Sequence, residues 1–345
     1  MSIHPKKQEL KLSILNIATI MNGDTPSKTI QDAIELVQLA DQLGYTRYWF
    51  AEHHNTSNQV STAPDLMSMY AAARTERIRI GAGGIMLPNH SSFKVAENFS
   101  LLEAAHPGRI DLGIGRASGT DALTAYALRR SQEVVNFPEQ LNELLSFFSR
   151  NFASDHPFRN IEVISGEPAI PELYMLGSSD GGLNFAVKEG LGLAFASYLS
   201  PQMTVPVLRA YKERFKPSVF MSVPRSIVST IVITAETDDE AKYLAAPLEL
   251  LWARMYAGTL MQGQPFPSLE EAHSHVYSLA EKEARKENRN RFIIGGIKTV
   301  SDQLRNLASE TMVDEVMLWE AYTDKVARHK AYKLLADEFK LSSTH

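Results

Sequence analysis

The sequence predicts an α/β fold, a (β/α)8 TIM barrel. Apolar runs alternate with helical patterns almost from end to end of the 345 residues. Most of these runs have no polar alternate, and strands that are apolar on both faces belong to all-parallel sheets with helices packed outside. Eight such runs can be read, the number that closes a barrel. A doubly wound open sheet is the other arrangement, but the G-x-G-x-x-G turn it often carries after its first strand is absent.

The elements follow in order. Leu12 to Thr19 reads as a buried strand. Ile30, Ala33, Ile34, Val37 and Ala40 then recur at helical spacing, and Gly44 closes that helix. TRYWFAEHH is the second strand, and Thr62 with Asp65 forms a capping box for the next helix. Ile78 to Leu87 is the third strand. A helix from about Ser92 to Ala105 ends at His106-Pro107-Gly108. RIDLGIG is the fourth strand, and residues 132 to 150 are helical. Glu172 to Gly177 and Gly192 to Ser197 are short strands flanking a helix near Asn184. Ser226 to Ala235 is the seventh strand, followed by a helix capped by Thr237 and Glu240. Glu315 to Glu320 is the eighth, and a helix from Asp324 to Phe339 ends the pattern. The whole chain, 1–345, reads as one barrel domain with two insertions, at about 116–136 and 258–291. The second is either a partly helical excursion over the barrel mouth or a solvated spacer.

Composition narrows the function. At 44% hydrophobic and 22% charged, the chain can bury a sizeable core. There is no cysteine, which excludes disulfides, thiolate metal sites and cysteine nucleophiles. The net charge of −5 comes with both signs interspersed, so no basic stripe points to nucleic acid. No apolar run approaches the roughly 18 residues of a membrane span. The basic N-terminal MSIHPKKQELKLSIL lacks a signal-peptide apolar stretch, so the expected location is cytoplasmic.

In such a barrel the chemistry sits at the C-terminal ends of the strands. Those exits are Glu52-His53-His54-Asn55, Pro88-Asn89-His90-Ser91, Gly115-Arg116-Ala117-Ser118 and Gly177-Ser178-Ser179-Asp180. A Gly-Ser-Ser turn entering a helix offers free N–H groups and hydroxyls to an anion, with Arg116 as countercharge. The same turn also reads as an ordinary helix cap. His53 and His54 are adjacent and face opposite ways on a strand, so one can enter the mouth. A metal site built from Glu52, His53, His54 and His90 has no supporting ligand spacing, and no metal is assigned. Gly81, Gly83 and Gly84 mark either close approach of a ligand or a tight barrel bend. Tyr48, Trp49 and Phe50 read as core and rim packing.

YWFAEHHN, APDLMSMYAAARTERIRIGAGGIMLPNH and LLEAAHPGRIDLGIGRASGTD, in this order and spacing, resemble the luciferase-like monooxygenase superfamily, and most closely its luciferase-family oxidoreductases of the MsnO8 type. The similarity is dense from Leu12 to Arg130. It continues more thinly through YMLGSSDGG, GLAFASYLSP and the C-terminal VMLWEAYTD. The resemblance implies reduced FMN (FMNH2) at the barrel mouth, with its ring against Gly83 and Gly84, where the family has a non-prolyl cis peptide. It implies a phosphate site at Arg116, Gly177, Ser178 and Ser179, and His53 as the catalytic histidine. It further implies a two-component monooxygenase that uses FMNH2 and O2 on an organic substrate, a separate flavin reductase, and a homodimer. A non-catalytic flavin-binding protein and a deazaflavin-dependent hydride-transfer oxidoreductase are the alternatives. Two departures are visible. Light-emitting members carry a cysteine before the phosphate arginine, where this chain has Gly115. Relatives often have Gly-Ser/Thr-Pro-Glu before a late helix, where this chain has Gly295-Gly296-Ile297-Lys298.

Overall fold

Strands covered on both faces must be apolar throughout, and the barrel is built from such strands. The computed structural model describes residues 10–131, 136–261 and 263–341. Its strands are β1 (Lys11–Asn16), β2 (Arg47–Phe50), β3 (Arg79–Met86), β4 (Ile110–Gly115), β5 (Glu172–Gly177), β6 (Gly192–Ala196), β7 (Ser226–Ala235), β8 (Phe292–Gly296) and β9 (Glu315–Trp319). β2 and β4 are buried at every position. All strand pairs are parallel, in the order β6-β5-β4-β3-β2-β1-β9-β7, and β7 pairs back onto β6 to close an eight-stranded barrel.

The helices are α1 (Pro26–Leu43), α2 (Pro64–Ala72), α3 (Ser92–Ala105), α4 (Ala122–Arg129), α5 (Phe137–Ser149), α6 (Asp180–Glu189), α7 (Pro201–Arg214), α8 (Asp238–Ala257), α9 (Leu269–Ser274), α10 (Leu279–Glu287), α11 (Ile297–Thr311) and α12 (Lys325–Phe339). Gly44 caps α1 in the left-handed region, as expected. Thr237 accepts from the Glu240 N–H at the start of α8. Among the described residues, no helix is long and apolar enough to cross a membrane.

Three expectations need correction. Thr62 and Asp65 form no capping box. Pro64 opens α2, so Ala63 is the N-cap and Thr62 lies one residue too early to reach the first-turn amides. Asp65 instead accepts from Asn98 of α3 at 2.6 Å. The second correction is β8, which sequence reading missed. β7 is ten residues long: Ile227–Ile231 pairs with β9 inside the barrel, and Ile231–Ala235 runs on to pair with β8. β8 thus pairs alongside the C-terminal half of β7 and leaves the closure intact. Third, the helix expected from residue 132 begins at Phe137, and residues 132–135 lie outside those described.

Both insertions contain helices. α4 is capped by Asp121. α9 and α10 are capped by Ser268 and Ser278 and fold back onto α8 through Arg254–Glu271 at 2.6 Å and through Arg285–Glu249. Residues 258–291 are thus partly helical and pack on α8.

The lower end of the barrel is sealed by charge. Arg47, 4% exposed, bonds Asp111 at 2.8 Å and Glu315 at 2.6 Å. Fully buried Asp111 also accepts from Arg79 at 2.6 Å and from the Trp49 indole at 2.8 Å. Above this layer, Trp49 packs edge-on against Tyr174.

Candidate active site

At the C-terminal ends of the strands lies a cavity of about 710 Å³, within the range of cofactor and ligand sites. His53, Gly83, Arg116, Gly177, Ser178 and Ser179 all line it. Gly84 is not among its lining residues. A Cβ on Gly84 would stand 2.5 Å from the Gly113 carbonyl oxygen, so its free face is turned to β4. The Gly83–Gly84 peptide is cis, and the β3–β4 register shifts there.

One end of the cavity is cationic. Arg116 is exposed and, among the described residues, has no hydrogen bond or ion pair; its guanidinium stands 5.7 Å from the Phe185 ring. It lies against the first turn of α6, where a Cβ on Gly181 would fall 2.2 Å from Nη2. Ser179 is the N-cap of α6, yet its side chain makes no capping bond. The ordinary-cap reading of Gly177-Ser178-Ser179 therefore finds no bond to support it. Free first-turn amides, two unused hydroxyls and an unpaired guanidinium converge, which is the donor set a phosphate takes.

The other polar group is a knot around Glu52. This carboxylate is fully buried. Its Oε1 meets His54 Nε2 at 2.7 Å and His90 Nε2 at 2.8 Å, and its Oε2 accepts the Met86 N–H at 2.8 Å. Thr120 donates to the His54 carbonyl at 3.1 Å, and Asn55 donates to Asp121 at 2.9 Å. The exits of β2, β3 and β4 are thereby tied together. Glu52, His54 and His90 bring their ligand atoms within 4.8 Å of one another, whereas His53 stands outside that group. The hydrogen bonds already satisfy these atoms without an ion.

His53 faces the cavity instead. Its backbone N–H donates to the Ser61 carbonyl at 3.0 Å, and its Nδ1 is buried without a partner among the described residues. Burial pushes its pKa below the ordinary 6.5, with Glu52 opposing and His54 assisting. It is therefore a neutral imidazole near pH 7. Burial would also lower His90, but the bond and charge of Glu52 prevail and raise it above 6.5. Burial would raise Glu52, but His90, His54 and the Met86 N–H hold it below 4.5.

The signs of these shifts give a prediction. His90 contributes stability that is complete below pH 6.5 and fades as pH rises through its raised pKa. Glu52 contributes stability that is complete above pH 4.5 and fades as pH falls through its lowered pKa. Imidazole NMR titration should find the His53 midpoint below 6.5 and the His90 midpoint above it. The reverse order would refute the arrangement.

The remaining walls were not read from sequence as a site. Trp49, assigned to packing, lines the cavity floor, joined by Met86, Tyr198, Trp252, Tyr256 and Trp319. Two signals were available. Trp319 ends the last barrel strand, and Trp252 and Tyr256 stand four apart on one helix face. A Cβ on Gly115 would lie 2.6 Å from the Met86 sulfur. At the other departure, Gly296 is the N-cap of α11, and its N–H donates to Asp238 at 2.6 Å.

Comparison with known proteins agrees with this geometry. The sequence profile of the luciferase-like monooxygenases matches residues 11–315. YceB of Bacillus subtilis is 38% identical over 332 residues, covering 96% of this chain and 99% of that protein. A luciferase-like monooxygenase of Escherichia coli K12 is 32% identical over 330 residues, 95% of this chain and 96% of that one. Among solved structures, apo-MsnO8 superposes with a TM-score of 0.85 at 32% identity, covering 97% of this chain and 99% of its own. The barrel, the matched residues and these full-length likenesses together place the chain in the luciferase-like monooxygenase family.

Proposed function

We propose that the chain is an FMN-dependent monooxygenase of the two-component type, supplied with FMNH2 by a separate flavin reductase and acting on a small organic substrate. The observation that carries the cofactor is Arg116: an unpaired guanidinium beside the uncapped start of α6 and two free serine hydroxyls. Gly177, Ser178 and Ser179 with Arg116 would hold the phosphate, and Gly83 would leave room beside the ring. A monophosphate tail suits this single free arginine better than the longer anionic tail of a deazaflavin.

When bound, reduced flavin supplies the electrons that activate O2. His53, neutral and with Nδ1 unpartnered, can accept or hold a proton at that nitrogen. The knot at Glu52 fixes the loop that carries it. The apolar walls exclude water from the reacting groups. A homodimer is part of the same reading, since α2 and α3 leave Leu66, Tyr70 and Leu101 exposed on the barrel exterior.

The test is anaerobic loading with FMNH2 followed by rapid mixing with O2 and observation of flavin absorbance. Bound flavin should reoxidise with kinetics distinct from free FMNH2, and His53→Ala should change them. Identical kinetics for free flavin, wild type and His53→Ala would favour a passive flavin carrier. Binding of a deazaflavin in preference to FMN would favour hydride transfer.

A further inference from the structure

The cavity has a second wall that the cofactor reading leaves without a role. Four aromatic rings run along it in unbroken contact. Trp319 lies 5.1 Å from Tyr198 and 6.2 Å from Trp252, and Trp252 stacks on Tyr256 at 5.6 Å with 14° between planes. Arg291 braces this wall. Its guanidinium stands 5.9 Å from the Trp252 ring and 5.3 Å from the Tyr256 ring, and Nη1 donates to the carbonyls of Tyr198 and Leu199 at 2.5 and 2.8 Å. Arg291 does not itself line the cavity.

Charge bookkeeping restricts what this wall can take. Among the described residues, the charged side chains lining the cavity are Glu52 and Arg116, with His53 neutral. Glu52 is fully hydrogen-bonded, and Arg116 is committed to the phosphate. A carboxylate or sulfonate on a substrate would therefore be desolvated with no cation to meet it, which is strongly unfavourable. Two polar atoms of the wall do lack partners. Among the described residues, the Trp319 indole N–H and the Ser229 hydroxyl are both buried without a hydrogen bond, and both residues line the cavity. They stand on paired strands, Ser229 opposite Met317 and Ile231 opposite Trp319. An indole N–H can only donate, so its complement is an acceptor.

We infer that this wall is the substrate subsite, and that it selects an uncharged, ring-bearing compound carrying an acceptor oxygen such as a ketone. The ring packs on the aromatic wall, and the oxygen receives the Trp319 N–H, supported by Ser229. The inference rests on the flavin reading, because it counts Arg116 as occupied.

The test is calorimetric titration of FMN-saturated protein with acetophenone, ethylbenzene and benzoate. Acetophenone should bind about tenfold more tightly than ethylbenzene, the ratio one neutral hydrogen bond supplies, and benzoate should bind most weakly. Trp319→Phe keeps the ring and removes the N–H, so it should reduce acetophenone to the level of ethylbenzene. Ser229→Ala should narrow the same ratio and serves if the first variant does not fold. Benzoate binding as well as acetophenone, a ketone preference that survives both variants, displacement of acetophenone by FMN, or no binding of any probe would each overturn the subsite. FMN binding is read in the same samples from flavin fluorescence. If the flavin reading fails instead, FMN does not bind and benzoate binds in a way that Arg116→Ala abolishes.

Discussion

Arg116→Ala is expected to weaken FMN binding by about 1.5–3 kcal/mol, roughly 10- to 150-fold, the range of a charge-assisted hydrogen bond. The effect should appear in affinity with the fold unchanged, because Arg116 is exposed and has no hydrogen bond or ion pair among the described residues. Gly181→Val makes the same point from the other side. A Cβ there would stand 2.2 Å from the guanidinium, so the arginine must swing away from the start of α6. Loss of FMN affinity in both variants, read by fluorescence quenching, would fix the phosphate at this corner. Unchanged affinity in Arg116→Ala would remove the phosphate assignment.

The second large effect is on stability. Asp111→Ala should cost about 3–5 kcal/mol, because removing one partner of a buried ion pair leaves the other charge uncompensated. Here the stranded group is Arg47, only 4% exposed, which would keep Glu315 at 2.6 Å and the more distant Glu172 at 3.8 Å. Arg79 and the Trp49 indole would lose the same carboxylate. Asp111→Asn retains the shape and one acceptor, so it should lose less. Urea denaturation followed by circular dichroism measures both. A loss below about 1 kcal/mol for Asp111→Ala would show that this network does not hold the barrel floor. Because Trp49 spans from Asp111 to the cavity, the variant should also loosen the floor of the site.

The barrel was legible because parallel strands are buried on both faces and announce themselves as unbroken apolar runs. β8 escaped because of its flanks: its FIIGG follows a charged helix, ends in glycines, and pairs beside the overhanging end of β7 and not within the closed barrel. The Thr62 cap failed for a local reason, since Pro64 moves the start of α2 past the threonine's reach. The proposed phosphate corner was open to sequence reading, since Arg116 and Ser178 leave neighbouring strands at the same end. The aromatic wall could be read only in pieces, such as the Trp252–Tyr256 pair on one face of α8. Tyr198, Trp252 and Trp319 meet only when β6, α8 and β9 converge on one mouth, and no spacing in the sequence encodes that meeting.

Gly115 and Met86 divide one parcel of volume between them. The thioether occupies the space into which any side chain at 115 would grow, 2.6 Å from a Cβ there. Met86 is flexible and lines the cavity, so the space it can be pushed into includes that chamber. A thiol introduced at 115 would therefore leave the barrel folded and shrink the chamber. The two positions form an epistatic pair: a mutational path toward a cysteine at 115 has to pass through a smaller residue at 86 first, or accept a smaller guest.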